Sequence, residues 1–300
     1  MNLPKMIIKE VKVKSILTKS NLPLGGYSVN PYIGCSHACK YCYASFMKRF
    51  TNHPEEWGTF LDVKYWDKIK NSQKYSGKIV GLGSVTDPYN PQEKIYKRTL
   101  AFLEEMKDSG AEFVILTKSD LILRDLQLLK SLDKLIVGFS INTLDENFKN
   151  DMDKASTIEK RLKAMEILYN EGIKTVCFIS PIFPEITNIE KIFEKVRNIC
   201  DTIWLENLNL RGSFKSTILN YINEKYPQYS ILYDEIYNKN DRSYFRRLEE
   251  DIQLMAEKNN CKYVNNKLIE EDNPKGHPAI VNYFYHDEVR GSENTGRRNK

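Results

Sequence analysis

Residues 112–141 read EFVILT-KSD-LILRDLQLLKSL-D-KLIVGFSI. Two near-continuous apolar runs of β-type residues flank a segment of helix formers. Runs of that kind suit parallel strands covered on both faces. Strand, helix and strand in that order predict a βαβ unit. Working outward, the pattern recurs on both sides. Towards the N-terminus, KIVGLGS (78–84) reads as a strand. Residues 91–109 read as a helix, with Ile95, Leu100, Phe102, Leu103 and Met106 near helical spacing and Gly110 as its stop. Towards the C-terminus come a helix at 157–170 ended by Gly172, a strand KTVCFIS (174–180), a helix at 188–200 and a strand TIWLENLNL (202–210). With a first strand ahead of Cys35, about six units are counted, fewer than the eight of a full barrel. The expected fold is α/β, a partial (β/α)6 TIM-like barrel, with its ligands at the carboxyl ends of the strands.

Beyond residue 211 the alternation stops. Residues 214–225 and 242–259 read as helices with Pro227 breaking between them, and 261–264 and 279–285 read as short strands. The expected organisation is an N-terminal extension (1–20), a core barrel (21–212), a C-terminal α/β cap (213–290) and a disordered tail (291–300). A chain of 300 residues that is 41% hydrophobic can bury a sizeable core without a disulfide scaffold. No apolar run approaches the ~20 residues that span a bilayer, and residues 1–19 mix Lys and Glu with short apolar pairs. A soluble, cytoplasmic protein without a membrane partner is therefore expected. Net charge is +5, from 45 basic and 40 acidic residues. That permits nucleic-acid binding without arguing for it, because a dedicated binder concentrates its basic residues. The one local basic run, Arg290, Arg297, Arg298 and Lys300, lies in the tail, where solvated disorder accounts for it.

Three of the six cysteines are crowded together. Cys35, Cys39 and Cys42 stand in GCSHACKYCY (34–43), spaced C-x3-C-x2-C. Three thiolates leave a metal centre one protein ligand short. Four cysteines hold a sealed iron–sulfur cube suited to electron transfer; three leave one iron open to a small molecule. The competing reading is zinc, which wants four ligands in a closed structural site. Zinc motifs come as paired C-x2-C units or with a downstream His pair. Here Cys177, Cys200 and Cys261 are scattered singly, and His37 and His53 stand at no standard spacing. Disulfides need an oxidising compartment that nothing in the chain signals. Incidental thiols are the bland remainder.

Four stretches carry a family resemblance: SVNPYIGCSHACKYCY (28–43), GSVTDPYNPQE (83–93), LTKSDLILRD (116–125) and FSINTLD (139–145). The cysteine triplet resembles the signature of the radical S-adenosylmethionine (SAM) superfamily. The other stretches are similar to its spore photoproduct lyase-like, or DNA repair photolyase-like, branch, over about residues 29–209. The resemblance implies a [4Fe–4S] cluster on Cys35, Cys39 and Cys42, with the amino and carboxylate groups of SAM on the open iron. It implies a reducing partner of flavodoxin or ferredoxin type, reductive cleavage of SAM, and a 5′-deoxyadenosyl radical that abstracts hydrogen. Tyr41, the aromatic residue before the third cysteine, is implied to lie against the SAM adenine. Tyr41 and Tyr43 match the two catalytic-site tyrosines flanking that cysteine in the lyase. Lys118 and Ser140 match its SAM-contacting Lys and Ser, and the strand end around Thr86 and Asp87 matches the place that meets the SAM amino group. At Ser84 the chain departs from the lyase, which carries a hydrogen-donating cysteine there. An O–H bond is far too strong to quench a carbon radical as a thiol does, so thymine-dimer lysis is not expected.

Read without the family, the same residues sit at predicted strand ends. Gly81 and Gly83 let backbone approach a ligand, and Ser84, Thr86 and Asp87 add short polar side chains, although Asp and Pro are also ordinary turn residues. Lys118 offers a point charge to a carboxylate, or is a solvated surface lysine. Ser140 and Asn142 could hydrogen-bond the SAM ribose or carboxylate. Arg124 and Asp125 read as a local pair. Weaker candidates are Glu185, in the loop 181–188 that Pro181 and Pro184 stiffen, and Glu206, which needs a partner among apolar residues that Arg211 could supply. Cys177 reads as a buried structural thiol, and neither His277 nor His286 forms an acid–base pair. The substrate readings are a nucleic-acid base or lesion and, as the alternative, a peptide or protein, favoured by Ser84 and by the uncommitted cap. A zinc-binding, non-enzymatic interaction module is the third class.

Overall fold

The computed structural model describes residues 6–20, 26–210, 212, 214–265 and 272–283. Arg211, His286 and the tail residues Arg290, Arg297, Arg298 and Lys300 lie outside the described residues. The strands are β1 (Ile7–Lys12), β2 (Leu17–Lys19), β3 (Tyr27–Val29), β4 (Tyr32–Ile33), β5 (Phe60–Tyr65), β6 (Ile79–Leu82), β7 (Glu112–Thr117), β8 (Lys134–Ser140), β9 (Lys174–Ile182), β10 (Thr202–Asn207), β11 (Tyr263–Asn265) and β12 (Ala279–Asn282). The helices are α1 (Glu93–Tyr96), α2 (Arg98–Met106), α3 (Leu126–Lys130), α4 (Glu146–Met152), α5 (Ile158–Asn170), α6 (Ile189–Val196), α7 (Phe214–Lys225), α8 (Ser230–Tyr237) and α9 (Ser243–Lys258).

Among the described residues, nine strands form one sheet in the order β11-β12-β10-β9-β8-β7-β6-β3-β2. Every pairing is parallel except β2 on β3. The six expected units are β3 and β6 to β10, consecutive in the sheet. Among the described residues the sheet does not close: β2 and β11 are its ends. A second sheet, β1-β5-β4, stands beside it and supports the loop that follows β4. Among the described residues no helix is long and apolar enough to cross a membrane.

Register and alternation separate two cores. Ser140, Phe178, Trp204 and Val281 fall in one row across β8, β9, β10 and β12. With Val114 and Val176, this inner face is lined by Trp204, Val281 and Tyr283. The residues between them, such as Phe113, Ile115, Val137, Phe139, Cys177 and Leu205, face outward and pack with helix residues such as Phe102 and Leu168. Both faces are covered, so the strands are apolar throughout.

The structure changes two expected elements and joins two others to the main sheet. The helix expected at 91–109 is broken at Lys97, whose φ is 49°, giving α1 and α2. Ile95, placed on the apolar face of a single helix by its spacing, is 74% exposed. The cause is Glu93, fully buried, whose carboxylate accepts from the Thr99 and Leu100 amides at 3.0 and 3.2 Å, from Arg124 at 2.8 Å and from the Tyr32 hydroxyl. It thereby caps the start of α2. The helix expected at 121–132 is a 3₁₀ turn, Asp120–Asp125, running into α3. The local pair is present there, Arg124 holding both Asp125 oxygens at 2.7 and 2.8 Å. The two C-terminal strands build no sheet of their own: β12 joins β10, and β11 joins β12, as parallel extensions of the main sheet.

Candidate active site

The cysteine loop leaves β4 at Gly34, and its backbone is fixed from every side. Gly34 has φ of 88°, and a Cβ there would stand 2.4 Å from the Phe60 carbonyl oxygen, so the position takes glycine. Ala38, at φ 48°, packs on Gly58, where an added Cβ would approach the Ala38 Cβ at 2.5 Å. Within the loop, the Ala38 and Cys42 amides donate to the Cys35 and Cys39 carbonyls, both at 3.1 Å. Outside it, the Lys40 amide donates to Met152 at 2.9 Å, the Lys154 amide to His37 at 2.7 Å, and the Ser36 hydroxyl to Gln92 at 2.7 Å.

Cys35, Cys39 and Cys42 all line one cavity of about 820 Å³ at the carboxyl ends of the strands. Burial pushes all three thiols up, Cys35 to about 12 with a further push from the Asp87 charge. The Lys118 ammonium is the largest influence pulling Cys39 and Cys42 the other way. Tyr41, Tyr43, Ser84, Thr86, Asp87, Lys118 and Ser140 line the same cavity. Asn142 does not: it is buried, and its Nδ2 meets no acceptor among the described residues.

Each lining residue is held differently. Tyr41 is buried edge-on against Phe183, with the Lys118 Nζ 5.8 Å from its ring centre. Its hydroxyl donates to Asp153 at 3.3 Å, a carboxylate also bound by Arg161 at 2.9 Å. Tyr43 reaches across the mouth to donate to the Ser84 carbonyl. The Ser84 hydroxyl lies 2.6 Å from that of Ser28 and accepts from Asn30 at 2.9 Å. Thr86 donates to the Gly34 carbonyl at 2.7 Å, tying this strand end to the cysteine loop. Asp87 accepts from the Tyr89 and Lys118 amides and the Thr117 hydroxyl at 2.7 to 2.9 Å, with His37 Nδ1 3.3 Å away. Burial opposes its charge, but His37 and these donors win and hold the carboxyl at about 2.

Several cavity residues were not legible beforehand, among them Phe178, Ser180 and Trp204. With Glu206, one of the weaker sequence candidates, they line it, at alternating positions that carry the inner face of β9 and β10 up to the mouth. Ser180 donates to Glu206 at 2.7 Å. His37 is tied to Asp87, and both ring nitrogens of His53 face carboxylates, Glu55 at 2.8 Å and Asp62 at 2.9 Å. Glu185 is exposed, and its amide donates to the Tyr244 hydroxyl. His277 sits on the Asn259 carbonyl. Cys177 and Cys200 are buried in the outer core, as expected of structural thiols.

A model of the radical SAM superfamily matches residues 29–196. The chain belongs to that superfamily. An uncharacterised protein of Methanocaldococcus jannaschii is 39% identical over 259 residues, covering 85% of this chain and 95% of that protein. Spore photoproduct lyase complexed with dinucleoside spore photoproduct aligns with a TM-score of 0.53 at 15% identity, over 74% of this chain and 66% of the lyase chain. Streptococcus suis SuiB bound to the precursor peptide SuiA aligns with a TM-score of 0.50 at 14% identity, over 97% of this chain and 52% of SuiB. Both likenesses show the shared fold of this radical SAM protein, which spans slightly under two thirds of the lyase's length. The family implies an iron–sulfur cluster and SAM. The donor set fits them: three thiols that line one cavity with the cationic Lys118, held protonated by burial, would lose their protons to a bound metal.

Proposed function

We propose that Cys35, Cys39 and Cys42 hold a [4Fe–4S] cluster with one iron open to SAM, and that the enzyme abstracts hydrogen from a nucleic-acid base or base lesion. The observation that carries this reading is the convergence of three thiols, one lysine and strand-end hydroxyls on a single cavity in a radical SAM fold. When bound, cluster and SAM together supply the electron and the 5′-deoxyadenosyl radical, given a flavodoxin- or ferredoxin-type donor. The chain's own residues bind and orient. Lys118 offers its ammonium to the SAM carboxylate, with the Ser140 hydroxyl beside it, and the Tyr41 ring gives a flat face to the adenine. Thr86 and Asp87, already satisfied by protein partners, act by fixing the strand end on the cysteine loop. Asn142 brings an unsatisfied amide to the same end of the sheet. Phe178, Trp204 and Tyr283 form an aromatic wall that keeps water from the reacting centre.

A nucleic-acid substrate is supported by the rim. Tyr43, Phe46 and Phe50 lie along one 3₁₀ helix, Tyr43–Phe50, and are 53%, 41% and 73% exposed. Lys48 and Arg49 stand between them, and Tyr43, Phe46, Lys48 and Arg49 line the cavity. Exposed rings stack bases and interleaved cations take phosphates. A gel-shift assay across salt tests this: single strands are expected to bind with a steep salt slope, and no binding to single or double strands contradicts it. The peptide reading rests on Ser84, which stands where the lyase carries its donor thiol. A mass change in a co-expressed small peptide would favour it. Iron and sulfide analysis separates both from a zinc module.

A further inference from the structure

Ser28, Asn30 and Ser84 form a hydrogen-bonded trio next to the rim helix, with one hydrogen left over. The Val85 amide donates to Asn30 Oδ1 at 3.0 Å, which settles how the side-chain amide is turned. Its Nδ2 donates to the Ser28 hydroxyl at 3.1 Å and to the Ser84 hydroxyl at 2.9 Å, which uses both of its hydrogens. The two hydroxyls lie 2.6 Å apart, so one donates to the other. Each serine carries one hydroxyl hydrogen. The first is spent in that bond, and the second meets no acceptor among the described residues. The serine that keeps it accepts from Asn30 and from its neighbour, so both lone pairs are used and it can act only as a donor. Both serines line the cavity, Ser28 on β3 and Ser84 two positions past β6. Tyr43, the first residue of the rim helix, donates to the Ser84 carbonyl. The trio therefore lies where a base leaving the rim would enter, while Lys118 and Ser140 stand at the ends of β7 and β8, further along the sheet.

We infer that the spare hydroxyl hydrogen is a specificity device: it donates to a carbonyl oxygen of the base that enters the cavity, so the substrate is an oxo base such as thymine, uracil, cytosine or guanine. The inference rests on the nucleic-acid reading above. A carbonyl oxygen projects from the ring, where a hydroxyl on the cavity wall can reach it. A base that brings no acceptor leaves the donor unpaired and is disfavoured for that reason. Asn30 sets the arrangement, because it gives the serines hydrogens and takes none from them. Asn30→Asp reverses this: its carboxylate takes both hydroxyl hydrogens and leaves only lone pairs facing the cavity.

The test is competition binding, read by fluorescence anisotropy, of a short thymidine strand against the same strand carrying difluorotoluene, a base of the same shape without carbonyl groups. The reconstituted protein is used with SAM and no reductant, so that nothing turns over. Wild type is expected to favour thymine about fivefold, the factor that a hydrogen bond's usual net worth corresponds to. Asn30→Asp, and separately Ser28→Ala combined with Ser84→Ala, should bind the two strands alike. The ratio is the readout, because a merely structural role, or a new carboxylate near phosphates, lowers both affinities together. Equal binding of the two strands by wild type overturns the inference, and so does a folded variant that keeps the wild-type preference. Should Asn30→Asp fail to fold, the serine double variant, which removes no backbone contact, decides on the same ratio. Binding of neither strand overturns the nucleic-acid reading and this inference with it, and is told apart from binding without preference, which overturns the inference alone.

Discussion

The charge of Asp87 ties several elements of the site together. One buried carboxylate joins the cysteine loop through His37, the end of β7 through Thr117 and Lys118, and its own turn through Tyr89. Its pKa falls from 3.8 to about 2 on folding. A depressed carboxyl pKa contributes stability that is complete above the unfolded value and is lost as pH falls through the folded one. Asp87→Asn is therefore expected to lose about 2 kcal/mol at neutral pH. Its deficit should shrink as pH falls from 3.8 towards 2, read by urea unfolding; equal stability of the two proteins at neutral pH would contradict the assignment. At this scale the sequence showed which residues reach the site better than how each is used. The cysteines, Ser84, Lys118 and Ser140 reach the cavity as strand-end reading expects. That Thr86 and Asp87 spend their side chains on the protein depends on partners 30 or more residues away, which no local pattern encodes. Asn142, two positions past the last residue of β8, sits off the cavity.

Among elements, the α1–α2 corner and the cysteine turn are the most constrained. Glu93→Ala removes a buried carboxylate from four donors, among them the Arg124 guanidinium. The expected cost is about 3 kcal/mol or more, because those donors stay buried and unpaired; a melting temperature within error of wild type would count against it. Gly34→Ala forces a side chain into the left-handed region and onto a backbone oxygen. It should cost about 2 kcal/mol or more and lower the iron bound on reconstitution, since the turn that presents Cys35 must shift. Apolar runs disclosed the strands, and α7 was expected at its observed bounds. The broken helix was hidden because its cause is a polar network, which periodicity does not register. The β1-β5-β4 sheet and the Tyr43–Phe50 helix went unseen because β1 is mostly exposed, β4 is two residues long, β5 is buried but breaks its apolar run with Asp62 and Lys64, and the helix is half-exposed.

For the whole molecule, the parallel order of β3 and β6 to β10 follows from repeated βαβ chirality and near-continuous apolar strands, which is why the architecture could be read from sequence. That β11 and β12 extend the sheet is a non-local pairing with no local signal. The result is an open barrel with an apolar interior, cysteines at one end of its mouth and an aromatic, basic rim beside them. If that rim stacks bases, Phe46→Ala together with Phe50→Ala should weaken single-strand binding about tenfold or more, from ~1–3 kcal/mol per stacked base. An unchanged affinity would remove the rim from the account. The most direct test of the central claim is SAM cleavage. Protein reconstituted anaerobically, reduced with dithionite and given SAM should release 5′-deoxyadenosine, while a variant with Cys35, Cys39 and Cys42 all changed to Ala should release none. Equal product from both proteins, or a wild type that holds zinc and no iron, would contradict it.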